Sequence, residues 1–194
     1  MQGMARPDGP VLTQRRLDRA LLARQLLLER SSLSIPDALA QVGGLQTQYA
    51  PSGYVGLWTR LAGFRRDDLT RALEDRSVVQ ATLMRSTIHL VARSDFWPMA
   101  VGVRRARREW AARLPDGVLG TNTSEAHAAT LRTALEGGPR SVAELGDMAT
   151  GFVGNVGLWV DLIRVPPGGT WQRRRADVLA LADQWVGPLS LIHI

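Results

Sequence analysis

The chain has 194 residues, 45% hydrophobic and 22% charged, a composition typical of a globular protein and not of a disordered one. It contains no cysteine, so disulfide bonds and thiolate metal sites are excluded, and its three histidines show no metal-ligand spacing. All 24 basic residues are arginines, the net charge is +6 and the pI is about 11.2, which favours a nucleic-acid partner over charge that only aids solubility.

No apolar run approaches the roughly 18–20 residues that span a bilayer, and the N-terminus lacks the apolar core of a secretory signal. We therefore expect a monomeric cytoplasmic protein, associated with the nucleoid, that needs no membrane, metal or cofactor.

The first third of the chain predicts a series of helices. Residues 1–11 have no apolar period and predict a disordered tail. Ser34 is placed to cap a helix that stops at Gly43, and the polar stretch Gln46-Thr47-Gln48 follows. Apolar residues at helical spacing predict four helices in all, over residues 13–30, 35–42, 53–61 and 67–73.

Two β-type runs follow these helices. Residues 78–84 and 87–91 are rich in β-branched and apolar residues, and Arg85 and Ser86 join them as the tip of a predicted hairpin. Helices followed by a two-stranded ribbon are typical of a winged helix, in which the hairpin is the wing. We assign residues 12–93 to a first winged-helix unit and expect Arg85 and Ser86 to contact phosphate.

A long helix is predicted over residues 94–114, with Phe96, Met99, Val103, Trp110 and Leu114 as its buried stripe. Its other sides are dense in arginine. A solvated face and a phosphate-contacting face both fit this pattern, and the second makes three residues candidate DNA ligands: Arg104, Arg105 and Arg108. The helix and the loop after it form a predicted connection over residues 94–123.

The second half repeats the pattern of the first. Gly154–Leu162 matches Gly53–Leu61 at six of nine positions, and Ser141 is placed to open a helix as Ser34 does. A strand is predicted over Trp171–Arg175, and three arginines in it are further candidate DNA ligands: Arg173, Arg174 and Arg175. The expected fold is therefore mainly α with short β-hairpins (α+β), with tandem winged-helix units. The second unit covers residues 124–187 and is incomplete, and residues 188–194 are expected to be non-native.

Six short motifs indicate a family when they are taken together: Gly44–Gln48, Gly53–Leu61, Arg85–Val91, Asp95–Trp97, Val165–Trp171 and Arg174–Asp177. They resemble the AlkZ/YcaQ family of bacterial winged-helix DNA glycosylases, which remove bulky alkylated purines and unhook interstrand crosslinks. The Gln-x-Gln form is similar to the AlkZ-like branch. Family members are longer and carry a further winged helix, so the resemblance implies a C-terminally truncated member.

The resemblance implies that Gln46 and Gln48 are the catalytic pair. A glutamine amide does not titrate, so it cannot act as a general base, but it can hold a water molecule against the sugar of a damaged nucleotide. His89 is a possible site residue, although a packed structural histidine is the commoner role for such a position. From the residues alone, the glutamines also fit a polar inter-helix turn or a reader of adenine.

The predicted function is hydrolysis of the N-glycosidic bond of alkylated purines in double-stranded DNA, with interstrand crosslinks as further substrates. Two alternatives stay open from the sequence. One is a winged-helix regulator that binds DNA without chemistry, and the other is an inactive fragment.

Overall fold

The structure is a computed structural model that describes residues 12–113, 125–149 and 158–190. The predicted tail over residues 1–11 and the last four residues of segment 188–194 lie outside that part. The α-helices are α1 (Gln14–Arg24), α2 (Ile35–Val42), α3 (Ala50–Trp58), α4 (Arg66–Glu74), α5 (Phe96–Ala111), α6 (Glu125–Leu135), α7 (Val142–Leu145) and α8 (Ala182–Trp185). The strands are β1 (Leu45–Gln46), β2 (Val78–Thr82), β3 (Ile88–Ala92), β4 (Arg140–Ser141), β5 (Leu162–Arg164) and β6 (Val178–Leu181).

The six strands form one antiparallel sheet in the order β1-β3-β2-β5-β6-β4. In each half a short strand pairs with the second strand of the following hairpin, β1 with β3 and β4 with β6. The two hairpins meet through β2 and β5, where Gln80 lies opposite Arg164. Among the described residues of both halves, a helix, a short strand, one or two further α-helices and a hairpin follow in that order, which confirms the predicted α+β fold with tandem winged-helix units.

One face of the sheet carries the helices of both halves. Leu90 of β3 and Val78 of β2 are buried beneath α2, α3 and α4, and Leu179 and Leu181 of β6 are buried beneath α6 and α7. Each fully buried leucine of this kind contributes roughly 1.5–3 kcal/mol of hydrophobic free energy.

The opposite face is covered by α5 and α8. Phe96 and Trp97 of α5 pack against Val79, Val91 and Ile163 of the central strands. Side chains alternate between the two faces of a strand, so a residue and its direct cross-strand partner share a face. This face, which we call the α5 face, holds one core that ties the two hairpins together.

The leucines of the first helix are not buried as their spacing predicts. α1 ends at Arg24, short of the predicted residue 30, because Leu26 has a φ of 56°, which is left-handed and ends helical geometry. Leu21 and Leu22 are 61% and 41% exposed. The amphipathic pattern correctly predicts a helix here but not its packing.

The internal repeat in the sequence does not align equivalent elements. Ser34 caps α2, which precedes the short strand β1, whereas Ser141 caps α7, which follows the short strand β4. Trp58 ends α3, whereas Trp159 lies in the turn before β5. Glycines 154 and 157 lie outside the described residues.

The strand predicted over Trp171–Arg175 is wrong. These residues lie in the connection between β5 and β6, which runs from residue 165 to residue 177 and which we call the second wing. The strand begins three residues later, at Val178. Thr170 turns the chain here, because its hydroxyl donates to the Pro167 carbonyl at 2.9 Å and accepts from the Arg173 amide at 3.2 Å.

Candidate nucleic-acid interface

Gln46 and Gln48 stand side by side at the edge of the sheet. β1 pairs with β3, and Thr47 extends the pairing by donating its amide to the Ile88 carbonyl at 2.7 Å. The extended chain points Thr47 inward, where it is 1% exposed, and leaves the glutamines on either side of it exposed. We call Gln46-Thr47-Gln48 the glutamine strand.

Gly44 lets the glutamine strand approach its neighbour. Its φ is +87°, and a Cβ there would lie 2.9 Å from both the Leu90 carbonyl oxygen and a Val91 side-chain carbon. Any larger residue would push β1 away from β3. Glycine at this position is therefore a requirement of the strand pairing that presents the glutamines.

Gln48 is held by a backbone hydrogen bond. The Ile88 amide donates to Gln48 Oε1 at 3.0 Å, so the side chain takes the place of the next carbonyl in the β1–β3 ladder. A backbone N–H can only donate, which fixes the carbonyl oxygen of the amide toward β3. The NH₂ group of Gln48 takes no part in this contact.

Gln46 is linked to the tip of the first hairpin. Arg85 Nη2 donates to Gln46 Oε1 at 3.4 Å, and both side chains are exposed. Arg85 and Ser86 form the tip with φ values of 51° and 57°, a left-handed conformation that non-glycine residues adopt at a cost of about 1–3 kcal/mol each. The structure thus brings Arg85 and Gln46, both predicted site residues, together.

His89 lies directly opposite Gln46 in the strand register, and therefore on the α5 face. It is 5% exposed, and its Nδ1 is 2.9 Å from the Thr87 carbonyl oxygen, which only accepts, so Nδ1 carries the proton. Burial lowers the pKa of the imidazole; the Thr87 hydrogen bond opposes this and the Arg85 charge reinforces it. His89 is thus a buried neutral histidine behind the glutamine strand, and a role in the site stays a prediction.

The second wing reaches the other end of the glutamine strand. Arg174 Nη1 donates to the Tyr49 hydroxyl at 3.0 Å, and Tyr49 directly follows Gln48. The wing is anchored where the Trp171 amide donates to the Tyr54 hydroxyl at 3.1 Å. The two wings therefore place arginines at both ends of the pair of amides.

The other two arginines of the second wing differ in their surroundings. Arg173 pairs with Asp177 at 3.2 Å, so its charge is balanced within the wing. Arg175 is exposed, and its guanidinium has no hydrogen-bond or ion-pair partner within the described part of the chain. Of the three predicted DNA ligands in the second wing, Arg175 is the one most free to contact a phosphate.

The predicted arginines of α5 lie elsewhere and have partners of their own. Arg104 Nη2 is 2.9 Å from both carboxylate oxygens of Asp161. Arg108 donates to the Leu158 carbonyl at 2.9 Å and stacks 4.1 Å from the Trp159 ring centroid. These contacts tie α5 to the turn before β5. Their role in binding DNA stays a prediction, as does that of the exposed Arg105, which pairs with Glu109 at 2.7 Å.

Sequence reasoning missed the buried support of the glutamine strand. Gln80 is 2% exposed and donates Nε2 to Thr47 Oγ1 at 3.4 Å, from the strand at the centre of the sheet. Arg164 lies opposite Gln80 on the neighbouring strand β5. Burial lowers the pKa of its guanidinium to about 10, and the nearby Asp177 carboxylate opposes part of this shift. A buried glutamine in a β-branched run is the signal that points to such a contact, because buried amides need polar partners.

The helix that would enter the major groove in many winged helices is not basic here. The exposed side of α4 carries Arg66, Asp67, Arg71 and Glu74, and Asp68 forms an ion pair with Arg71. Acidic side chains on this surface repel phosphate. Phosphate contacts are therefore favoured at the wings and not at α4.

Two features are absent from the described residues. They contain no group of three or more acidic, cysteine or histidine side chains that could hold a metal ion. They also contain no helix that is long and apolar enough to cross a membrane. What the site offers is a pair of neutral amides with arginines at both ends, which can orient a neutral or polarised ligand and attract phosphate.

Comparison with known proteins gives a consistent result. A profile described as DNA glycosylase AlkZ-like matches residues 39–192. The structure is similar to that of the DNA glycosylase AlkZ from Streptomyces sahachiroi, with a TM-score of 0.61 and 17% sequence identity over 86% of this chain. This chain spans 48% of that one, about half its length. A search of curated protein sequences found no match.

Proposed function

This chain belongs to the AlkZ-like DNA glycosylase family, and from that premise we propose that it hydrolyses the N-glycosidic bond of alkylated purines in double-stranded DNA. The observation that carries the proposal is the exposed pair of glutamines held between two arginine-bearing wings. The chain spans about half the length of the glycosylase structure it resembles, and the activity is therefore stated as a proposal.

The proposed chemistry depends on the positive charge that alkylation places on the base. A purine alkylated on a ring nitrogen carries a positive charge, so it departs as a neutral base without a general acid. As the bond from the anomeric carbon to the base breaks, the sugar passes through an oxocarbenium-like state; water then forms the new C–O bond and releases a proton to solvent. The remaining task is to place that water at the anomeric carbon and to stabilise positive charge. The same attack would unhook an interstrand crosslink, because a base in such a link is also an alkylated purine.

The two glutamines would share this task unequally. The oxygen of Gln48 accepts the Ile88 amide, so its NH₂ group is the part that faces the substrate, where it can donate to a sugar or phosphate oxygen. Gln46 is exposed and bonded only at 3.4 Å, so its carbonyl oxygen has a second lone pair for the attacking water. Neither amide carries a charge, so the glutamines can stabilise the developing cation only through the dipole of an amide carbonyl.

The wings would hold the duplex. Arg85 at one end of the glutamine strand and Arg174 and Arg175 at the other are spaced along one edge of the protein, and guanidinium groups bind phosphate through paired hydrogen bonds. Arginines that neutralise phosphates release counterions, so affinity is expected to fall steeply with salt. This positions the backbone without reading the sequence of the bases.

The test is a duplex that contains one N7-alkylguanine, incubated with the protein and then heated in alkali. Strand breaks at the lesion indicate an abasic product and support a glycosylase. Tight binding to a preferred sequence without breaks would instead indicate a regulator. The same damaged duplex treated without protein is the control, because heat and alkali alone release some N7-alkylguanine, and only breaks in excess of that background count as excision.

A further inference from the structure

A groove beside the glutamine strand is not used by the proposed chemistry. It has a volume of about 480 Å³ and lies between the hairpin tip, Met84–Ser86, and the second half of α5. This volume falls within the range of roughly 300–1,000 Å³ that is typical of ligand pockets. We call it the tip groove, and its α5 wall consists of Gly102, Val103, Ala106, Arg107 and Trp110.

The wall of the tip groove is mainly apolar and carries one aromatic side chain, with two arginines among its lining residues. Trp110, which its helical position predicts to be buried, is 44% exposed there. Gly102 leaves space, because a Cβ at this position would meet no atom of the described residues within 4 Å. An exposed indole beside an empty helix surface is a suitable platform for stacking a flat ring.

The tip groove is continuous with the proposed site. Arg85 lines the groove and also donates to Gln46, so a single side chain separates the groove from the amide. The cross-strand register places Gln46 on the α5 face, which is the face where the groove opens. A group attached to a base whose sugar faces Gln46 can therefore extend across Arg85 into the groove.

The two guanidinium groups that line the groove determine which substituents of a damaged base can bind there. Arg85 and Arg107 both line it, and Arg107 is 8% exposed with its Nη1 donating to the Thr82 carbonyl at 3.1 Å. Two guanidinium groups repel a cationic group, whereas their flat faces stack well on a neutral aromatic ring.

We propose that the tip groove binds a neutral aromatic substituent carried by the damaged base, and that Trp110 is a specificity-determining residue. This inference rests on the proposed function, because it requires the damaged nucleotide to lie at Gln46. It predicts that the protein distinguishes lesions by their substituents and not only by the alkylated position.

The test compares duplexes that differ only in the N7 substituent of one guanine: methyl, benzyl or the cationic 3-aminopropyl. Binding is measured with 2′-fluoro nucleotides, which resist hydrolysis, and excision with ordinary ones. The wild-type protein should bind the benzyl duplex about 10-fold more tightly than the methyl duplex, in line with the effect of one aromatic stack. The aminopropyl duplex should gain nothing over methyl.

Gly102→Phe fills the groove and should reduce the benzyl-to-methyl ratio of affinities to about one. Methyl binding and excision should stay within twofold of wild type, which also shows that the variant is folded. Gly102→Ala is the matched control and should keep the ratio, and Trp110→Ala should lose most of it.

A wild-type ratio of one, an equal gain for aminopropyl, or a ratio that Gly102→Phe leaves intact would each overturn the inference. If no duplex is cleaved, the proposed function fails, and the affinity ratio still decides whether the groove binds the substituent.

Discussion

Gln48 is predicted to have a structural role that can be separated from its chemical one. Gln48→Ala removes the acceptor of the Ile88 amide, and Ile88 is only 8% exposed, so water replaces that acceptor poorly. An unsatisfied buried donor costs about 1–3 kcal/mol. For a protein of this size, a loss of about 2 kcal/mol lowers the melting temperature by roughly 4–8 °C.

Gln48→Glu separates the two roles. A carboxylate keeps an oxygen for the Ile88 amide, so thermal stability should stay near that of the wild type, while the NH₂ donor is lost and excision should fall. Gln46→Ala is the matched control: its contact is exposed and 3.4 Å long, so stability should change by less than about 0.5 kcal/mol. Calorimetry of the three variants is the assay. Equal melting temperatures for Gln48→Ala and wild type would refute the assignment of the Gln48 oxygen.

Three further outcomes are expected. The folded-state pKa of His89 is lowered, so the unfolded chain binds a proton at this histidine more readily than the folded chain does. Wild-type stability, measured by urea titration, should therefore fall as the pH drops below about 6.5, and the fall should be smaller for His89→Asn. Gly169→Ala should destabilise the protein by at least about 2 kcal/mol in the same titrations, since φ is +75° there and a Cβ would lie 2.0 Å from Gln80 Oε1. Arg175→Ala should lower the slope of log affinity against log salt by about 0.9, whereas Arg71→Ala on α4 should not, and the reverse result would indicate a recognition helix.

Local patterns predict the parts of the fold that local interactions build. The hairpin of β2 and β3 appears where two β-type runs flank a short turn, and Ser34 and Ser141 each cap a helix as expected. The exposure of Gln46 and Gln48 also follows from the alternation of an extended strand. In these cases the residues that determine the structure are neighbours in the chain.

The remaining features depend on contacts between distant residues. Nothing near Gln80 indicates that β2 pairs with β5, which joins the two hairpins into one sheet. β6 is a short apolar run that does not differ from a helix segment by periodicity alone. Similarly, helical spacing places Trp110 on the same side of α5 as buried residues and so predicts its burial, but Trp110 is 44% exposed. Spacing shows which residues share a side of a helix, and it does not show where the neighbouring strand ends.

The measurement that tests the central claim most directly is single-turnover excision of an N7-alkylguanine by the double variant Gln46→Ala, Gln48→Ala. Positioning of a reacting group by hydrogen bonds is worth at least about 100-fold in rate, so excision should fall by that factor or more. Affinity for the same duplex should stay nearly unchanged, because the wings supply the phosphate contacts. Unchanged excision by the double variant would contradict the account.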